Sequence, residues 1–204
     1  MDSRAVEIES KRKRLTDLFL ESVSGDKFWE QAQGIVMDDY NTVGPRYVIG
    51  SFIYTRLLKL LHNPEIEEAK DINYLMQNHK PKYQLSLPEG WRVKPEKGMP
   101  KVFSNDGRLV SISTLKSFYY IMNGNGEHKI GLYFDKVPFN LHGIAFDLQS
   151  NRIIGKEAIE GIIEGVVKVS NPEAAKYYAN KHKEKTLREH LADKAKKLGI
   201  RYRL

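Results

Sequence analysis

The sequence predicts an α+β protein, mainly α, in four segments: an N-terminal helical bundle over residues 1–80, a Pro-rich crossing segment over 81–100, a small α+β unit with antiparallel hairpins over 101–170, and a long basic C-terminal helix with its tail over 171–204. Three observations predict it. Apolar residues recur at helical spacing through the first 80 positions. Pro81, Pro88, Pro95 and Pro100, with Gly90 and Gly98, then interrupt that periodicity. Beyond them an Asn105-Asp106-Gly107 turn sits between short apolar runs, the pattern of a hairpin. Strands and helices do not alternate regularly enough for a doubly wound sheet.

The first helix runs from Ser3 to about Val23 on Val6, Leu15, Leu18, Phe19 and Leu20. Its Lys11-Arg12-Lys13-Arg14 cluster points in four directions and so forms no single face. Gly25 ends the pattern, and Asp26 caps a second helix whose face carries Phe28, Ala32, Ile35, Val36 and Tyr40. Gly44-Pro45 opens a third helix. It is apolar nearly all round between Tyr47 and Leu61, which places it at the centre of the bundle. Asn63-Pro64 ends it and starts a fourth through Ile66, Ala69, Ile72, Leu75 and Met76.

In the crossing segment, Tyr83 and Trp91 supply packing surface. Lys101–Phe103 and Arg108–Ile112 then flank the hairpin turn, where Asn/Asp-Gly supplies the positive φ. Leu115, Phe118, Tyr119 and Met122 predict a short helix ended by Asn123-Gly124-Asn125-Gly126. That run has no following Gly-Lys-Ser/Thr, so it is a turn and not a phosphate loop. Ile130, Leu132 and Phe134 alternate, as do Ile144, Phe146 and Leu148, predicting two antiparallel strands joined through Pro138-Phe139-Asn140. Ile159, Ile162, Ile163 and Val166 stripe a following helix. Gly161 and Gly165 on it call for a close backbone approach, within the fold or from a second copy of the chain. Ser170 and Glu173 read as a capping box with Pro172 in the first turn, and Gly199 as a C-cap. One helix of about 28 residues then ends at Leu198.

Charge is the strongest functional pointer. The last 34 residues hold ten Lys/Arg and four Asp/Glu, a net of +6, whereas residues 1–80 carry a net of −2. A polyanionic partner at one end of the molecule is the expected reading. At about 100° per residue, Leu191, Lys194 and Leu198 fall close to Leu187 on the packing side of the terminal helix. Tyr178, Lys181, Lys185, Arg188 and Lys196 fall away from it and form a basic face, extended by Arg201, Tyr202 and Arg203 in the tail. Such cations contact phosphate oxygens and release counterions, and Tyr177, Tyr178 and Tyr202 offer rings for unpaired bases.

Other chemistries find less support. Without cysteine there are no disulfides, thiolate metal sites, iron–sulfur clusters or cysteine nucleophile, which fits a reducing compartment. The charged start MDSRAVEIESKRKR is no secretory signal, and the longest apolar stretch is broken by Arg56 and Lys59, so a soluble intracellular protein with no membrane partner is expected. His62, His79, His128, His142, His182 and His190 show no zinc spacing, and His142 reads as a packed or hydrogen-bonded side chain. Asp135 and Asp147, at expected strand ends, are the only candidates for a Mg²⁺ site. Asp147-Leu148-Gln149 lacks the lysine that a restriction-type nuclease would use to position water. No cofactor signature is present. The leading expectation is a non-enzymatic nucleic-acid-associated protein using its basic C-terminal helix. Next comes a structural or assembly subunit, a viral one included, docking that helix on an acidic protein surface and open to homo-oligomerisation. A Mg²⁺-dependent nuclease stands third.

Overall fold

Residues 44–49 and 72–76, expected to lie in helices, belong to strands. The computed structural model describes residues 3–38, 42–79, 85–94, 101–115, 129–181 and 186–204. In it β1 (Thr42–Ile49) and β2 (Ile72–His79) pair antiparallel at the centre of a seven-stranded mixed sheet. The others are β3 (Arg92–Lys94), β4 (Lys101–Phe103), β5 (Leu109–Thr114), β6 (Ala145–Asp147) and β7 (Arg152–Ile154), in the order β3-β4-β5-β2-β1-β6-β7. Within this sheet, only β2 and β5 pair in parallel. A separate two-stranded parallel ribbon joins β8 (Val166–Lys168) to β9 (Arg201–Arg203).

The helical misreading of β1 and β2 has a physical cause. Both are covered on both faces, so their inward and outward positions are alike apolar and the period of two is lost. Ile72, Tyr74 and Met76 pack on one face and Leu75 on the other, all fully buried. Gly44-Pro45 starts no helix; it sits at a register shift between Val43 and Arg46, where a residue without an N–H fits a bulge.

One face of the sheet, through Val48, Tyr74, Ile112 and Phe146, packs against α1 (Ser3–Val23), α2 (Lys27–Met37), α3 (Ser51–Leu61) and α5 (Lys156–Glu164). Phe19 anchors that layer with its ring against Trp29, Phe52 and Phe146. The opposite face, through Tyr47, Ile49, Leu75 and Ala145, packs against Tyr133 of α4 (Ile130–Lys136) and against Val137. Residues 130–134 were expected as a strand. Ile130, Tyr133, Phe134 and Val137 instead form an i, i+3, i+4, i+7 stripe on that second core.

Several expectations hold. Helices α1 and α2 stand where periodicity puts them, with the Asp26 carboxylate accepting from the N–H groups of Phe28 and Trp29. The Asn105-Asp106-Gly107 hairpin joins β4 to β5. Gly161 serves close packing, since a Cβ there would collide with the Asn140 amide. That amide donates to Val166 O and accepts from Lys168 N, tying the 3-10 turn Asn140–Gly143 to β8. Beyond Leu115, the short helix expected through Met122 and the Asn123–Gly126 turn lie outside the described residues, as do Tyr83 and much of the crossing segment.

The single terminal helix is two, α6 (Pro172–Lys181) and α7 (Leu187–Leu198). Thr186 starts α7 with its own capping box to Glu189. At the start of α6 the cap is Asn171, accepting from Ala174 N, while Ser170 donates instead to Glu157. Gly199, at φ 59°, closes α7 as expected and lets the chain turn back so that β9 pairs with β8. Among the described residues, no helix is long and apolar enough to cross a membrane.

Candidate functional site

A cavity of about 370 Å³ opens on the second face of the sheet, where β1 ends and α3 begins. Gly50 makes that junction at φ 80°, a conformation that favours glycine. It offers no side chain to cap α3, and with Ile53 N donating to the Gly50 carbonyl the N–H groups of Ser51 and Phe52 have no side-chain cap. Register supplies the floor. Ile49 pairs with Asn73, and Leu75 pairs with Ser113. Residues two apart share a face, so Asn73 and Ser113 lie opposite the Ile72–Tyr74 and Val110–Ile112 side and line the cavity. Tyr133 and Lys136 of α4, His142 of the 3-10 turn, Tyr178 of α6 and Lys194 of α7 close the other wall.

Lys194 organises that wall. Its Nζ donates to Tyr54 Oη at 3.2 Å and lies 2.9 Å from His142 Nε2. The ammonium also sits 5.2 Å from the centre of the Tyr54 ring and 6.0 Å from that of Phe139, within cation–π range. An ammonium donating to Nε2 selects the neutral His142 tautomer with its proton on Nδ1. Burial first, then the positive charge of Lys194 and of His190, holds His142 well below its ordinary pKa. Burial also lowers Lys194 and pushes the Tyr54 hydroxyl up to about 12. Tyr133 Oη donates to the His142 carbonyl at 3.0 Å and so fixes the turn that carries the imidazole. Around these groups Phe139 and His190 stack at 5.7 Å, and Tyr178 meets His142 at 5.7 Å and His190 at 5.2 Å.

The cavity is electropositive. Lys136, Lys194 and the start of α3 face it, and no Asp or Glu is among the described residues that line it. Asp71, just before β2, is exposed and accepts from Leu109 N at 3.1 Å, pinning the start of β5.

Of the residues expected at a nucleic-acid face, Tyr178 is in the cavity wall. Arg188 and Lys196 are exposed on α7, outside the cavity. Arg201, Tyr202 and Arg203 form exposed strand β9, with Arg201 Nη2 donating to Glu164 O at 2.9 Å. Lys181 ends α6; its side chain and all of Lys185 lie outside the described residues. The two carboxylates considered for Mg²⁺ share no cavity. Asp147 caps the turn after β6, accepting from Gln149 N at 2.9 Å and Ser150 Oγ at 2.7 Å. Asp135 is exposed on α4, and its backbone carbonyl accepts from Asn171. Among the described residues, no three His, Asp or Glu side chains are grouped to hold a metal ion.

Sequence reasoning missed Gly50-Ser51, Asn73, Ser113, Lys136, His142 and Lys194 as a site. One signal was present: Lys194 falls on the apolar side of its helix with Leu187, Leu191 and Leu198, where a lysine needs a reason.

No family model and no curated protein matches the sequence. Solved structures do share the architecture. A CCA-adding enzyme with ATP is similar over 92% of this chain and 41% of its own, at 15% identity and a TM-score of 0.59. A CCA-adding enzyme with CTP is similar over 82% and 38%, at 14% identity and a TM-score of 0.54. The Thermotoga maritima CCA-adding enzyme complexed with tRNA is similar over 82% and 38%, at 14% identity and a TM-score of 0.52. The chain thus spans about two-fifths of the length of these proteins. At such identities the likeness carries the fold. It nevertheless corrects the functional expectation, because these three proteins, which share the architecture, are enzymes. The non-enzymatic nucleic-acid-associated protein and the structural or viral assembly subunit both give way to it, and the acidic-surface partner goes with the latter. The nuclease reading falls as well, since Asp135 and Asp147 stand apart as a helix residue and a turn cap.

Proposed function

We propose that this chain is the nucleotide-handling unit of an enzyme acting on tRNA, and that the cavity at the start of α3 receives the phosphates of a nucleoside triphosphate. The observation that carries the reading is the cation lining: Lys194 and Lys136 converge with the positive end of α3 on one cavity. Neutral donors add to it. Ser51 and Ser113 carry hydroxyls, and Asn73 carries an amide, each able to bond a phosphate oxygen. Tyr178 offers an aromatic face for a base. The cavity volume is at the lower end of the roughly 300–1,000 Å³ common for small-molecule sites. The architecture shared with CCA-adding enzymes that hold ATP or CTP supports the same ligand class. Outside the cavity, Arg188, Lys196, Arg201 and Arg203 supply exposed cations suited to the tRNA backbone.

Phosphoryl-transfer enzymes commonly hold Mg²⁺ through carboxylates that bridge to substrate phosphates. The described residues lining this cavity do not fit such a site, because none is a carboxylate. What the chain's own groups do is bind and orient. Lys194 and Lys136 offset phosphate charge, Ser51 positions an oxygen at the helix start, and neutral His142 holds Lys194 in place.

The reading is tested by titrating CTP and ATP into the protein calorimetrically in buffer with Mg²⁺, and by following labelled nucleotide into tRNA transcripts lacking the 3′-terminal CCA. Saturable binding of either triphosphate, with transfer into the transcript, is the expected result. Neither binding nor transfer would overturn it.

A further inference from the structure

One cation is built into this cavity as a side chain that neutral groups hold in place. A triphosphate carries several negative charges, which proteins ordinarily offset with Mg²⁺ held between carboxylates and the phosphate oxygens. Here the carboxylates are missing from the described lining, and a half-buried lysine stands among its polar groups. Lys194 does not reach in from solvent on a loose stem. It projects from the packing side of α7, between buried Leu191, Ala195 and Leu198, and its ammonium is fixed from two directions by His142 Nε2 and Tyr54 Oη. Neither partner supplies a negative charge. His142 is neutral, and Tyr54 keeps its proton at neutral pH. The ammonium therefore has seats but no counter-charge among the described residues of the lining, and two of its three N–H donors are taken, leaving one.

Even a partly buried cation held by neutral acceptors carries a desolvation cost that an anion would offset. We propose, building on the nucleotide reading above, that Lys194 is the resident cation of this site and that the cavity binds nucleoside triphosphates without a divalent metal ion. Lys136, exposed at the cavity's rim, adds a second positive charge for the outer phosphates. Ser51 and Ser113 then bond the phosphate oxygens that a metal would otherwise bridge. The arrangement acts on charge alone and requires no bond to form or break.

The test is isothermal titration of CTP and ATP into the full chain, once with Mg²⁺ and once with EDTA, repeated for Lys194→Met. Methionine keeps the stem length and removes the charge. The expected result is an affinity that differs by less than about threefold between Mg²⁺ and EDTA. Lys194→Met should weaken it by about tenfold or more in both, the size of one charge-assisted hydrogen bond. Binding seen with Mg²⁺ and lost in EDTA would overturn the inference while leaving the nucleotide reading in place. Unchanged affinity in Lys194→Met would do the same. No binding in either buffer would overturn both. The metal comparison on the unaltered chain decides the question even if Lys194→Met fails to fold.

Discussion

At the level of single residues, burial governs the protonation of His142, Lys194 and Tyr54 in the cavity wall. His142 shows the consequence. Its neutral form is enforced by burial and by the nearby Lys194 and His190, so its pKa in the folded chain lies well below the 6.5 of an ordinary histidine. Unfolding releases it to that ordinary value. Between the two values the unfolded chain binds more protons than the folded one, so stability rises with pH across that window. The contribution is complete above about pH 6.5 and is lost as pH falls below it, at up to about 1.4 kcal/mol per pH unit for one group. His142→Gln retains an amide oxygen for Lys194 and cannot be protonated. Its urea-melting free energy should therefore fall less steeply than that of the unaltered chain from pH 7 to pH 5. Parallel curves would show that His142 does not titrate on unfolding. Lys194 has the same sign at the alkaline end: burial lowers it from 10.5, so raising pH through that range relieves the cost of its charge.

At the level of elements, the junctions that position the wall are set by glycines with positive φ. Gly155 joins β7 to α5 at φ 108°, and a Cβ there would collide with the Gly143 carbonyl. Gly143 closes the 3-10 turn that holds His142, so this contact fixes the height of the imidazole against α5. Gly155→Ala would impose both backbone strain and a backbone clash. It should destabilise the chain by at least about 2 kcal/mol, read from the urea midpoint, and weaken any ligand that uses Lys194. A loss of less than about 0.5 kcal/mol would mean that the turn relaxes freely. Local chemistry of this kind is what the sequence makes legible. Asp26 capping α2, the Asn105-Asp106-Gly107 hairpin and Gly199 ending α7 were all readable, because each depends on neighbours in the chain. Strands β1 and β2 were not, because their burial on both faces is a property of the assembled sheet and erases the alternation that marks a strand. The candidate site was hidden for the same reason. Ile49 meets Asn73, and Leu75 meets Ser113, only through strand pairing, and Lys194 reaches Tyr54 across 140 positions of sequence.

At the level of the whole molecule, the basic C-terminal segment has two sides, one lining the cavity and one exposed. Its inward lysine completes a cavity formed mostly by the preceding residues, while Arg188 and Lys196 on the same helix α7 stay exposed outside it. The net charge of +6 over 171–204 that drew attention in the sequence is therefore divided between the cavity and the exposed surface. If the outer side meets the tRNA backbone, each phosphate contact it makes releases counterions, and log K should fall with log salt by about 0.7–0.9 per contact. Neutralising Arg188 and Lys196 together, as Arg188→Gln and Lys196→Gln, should then reduce that slope by up to about 1.4–1.8 and weaken tRNA at low salt. The same pair should leave CTP and ATP affinity unchanged, because neither residue lines the cavity. Lys194→Met should give the opposite pattern, with weaker nucleotide binding and an unaltered salt slope for tRNA. Fluorescence anisotropy of labelled tRNA over a salt series, run beside the nucleotide titrations, separates the two. If the outer pair leaves the slope untouched, tRNA does not lie on this side of α7. If it weakens nucleotide binding as well, the two sides of the helix are coupled, and the division of labour read from its geometry is wrong.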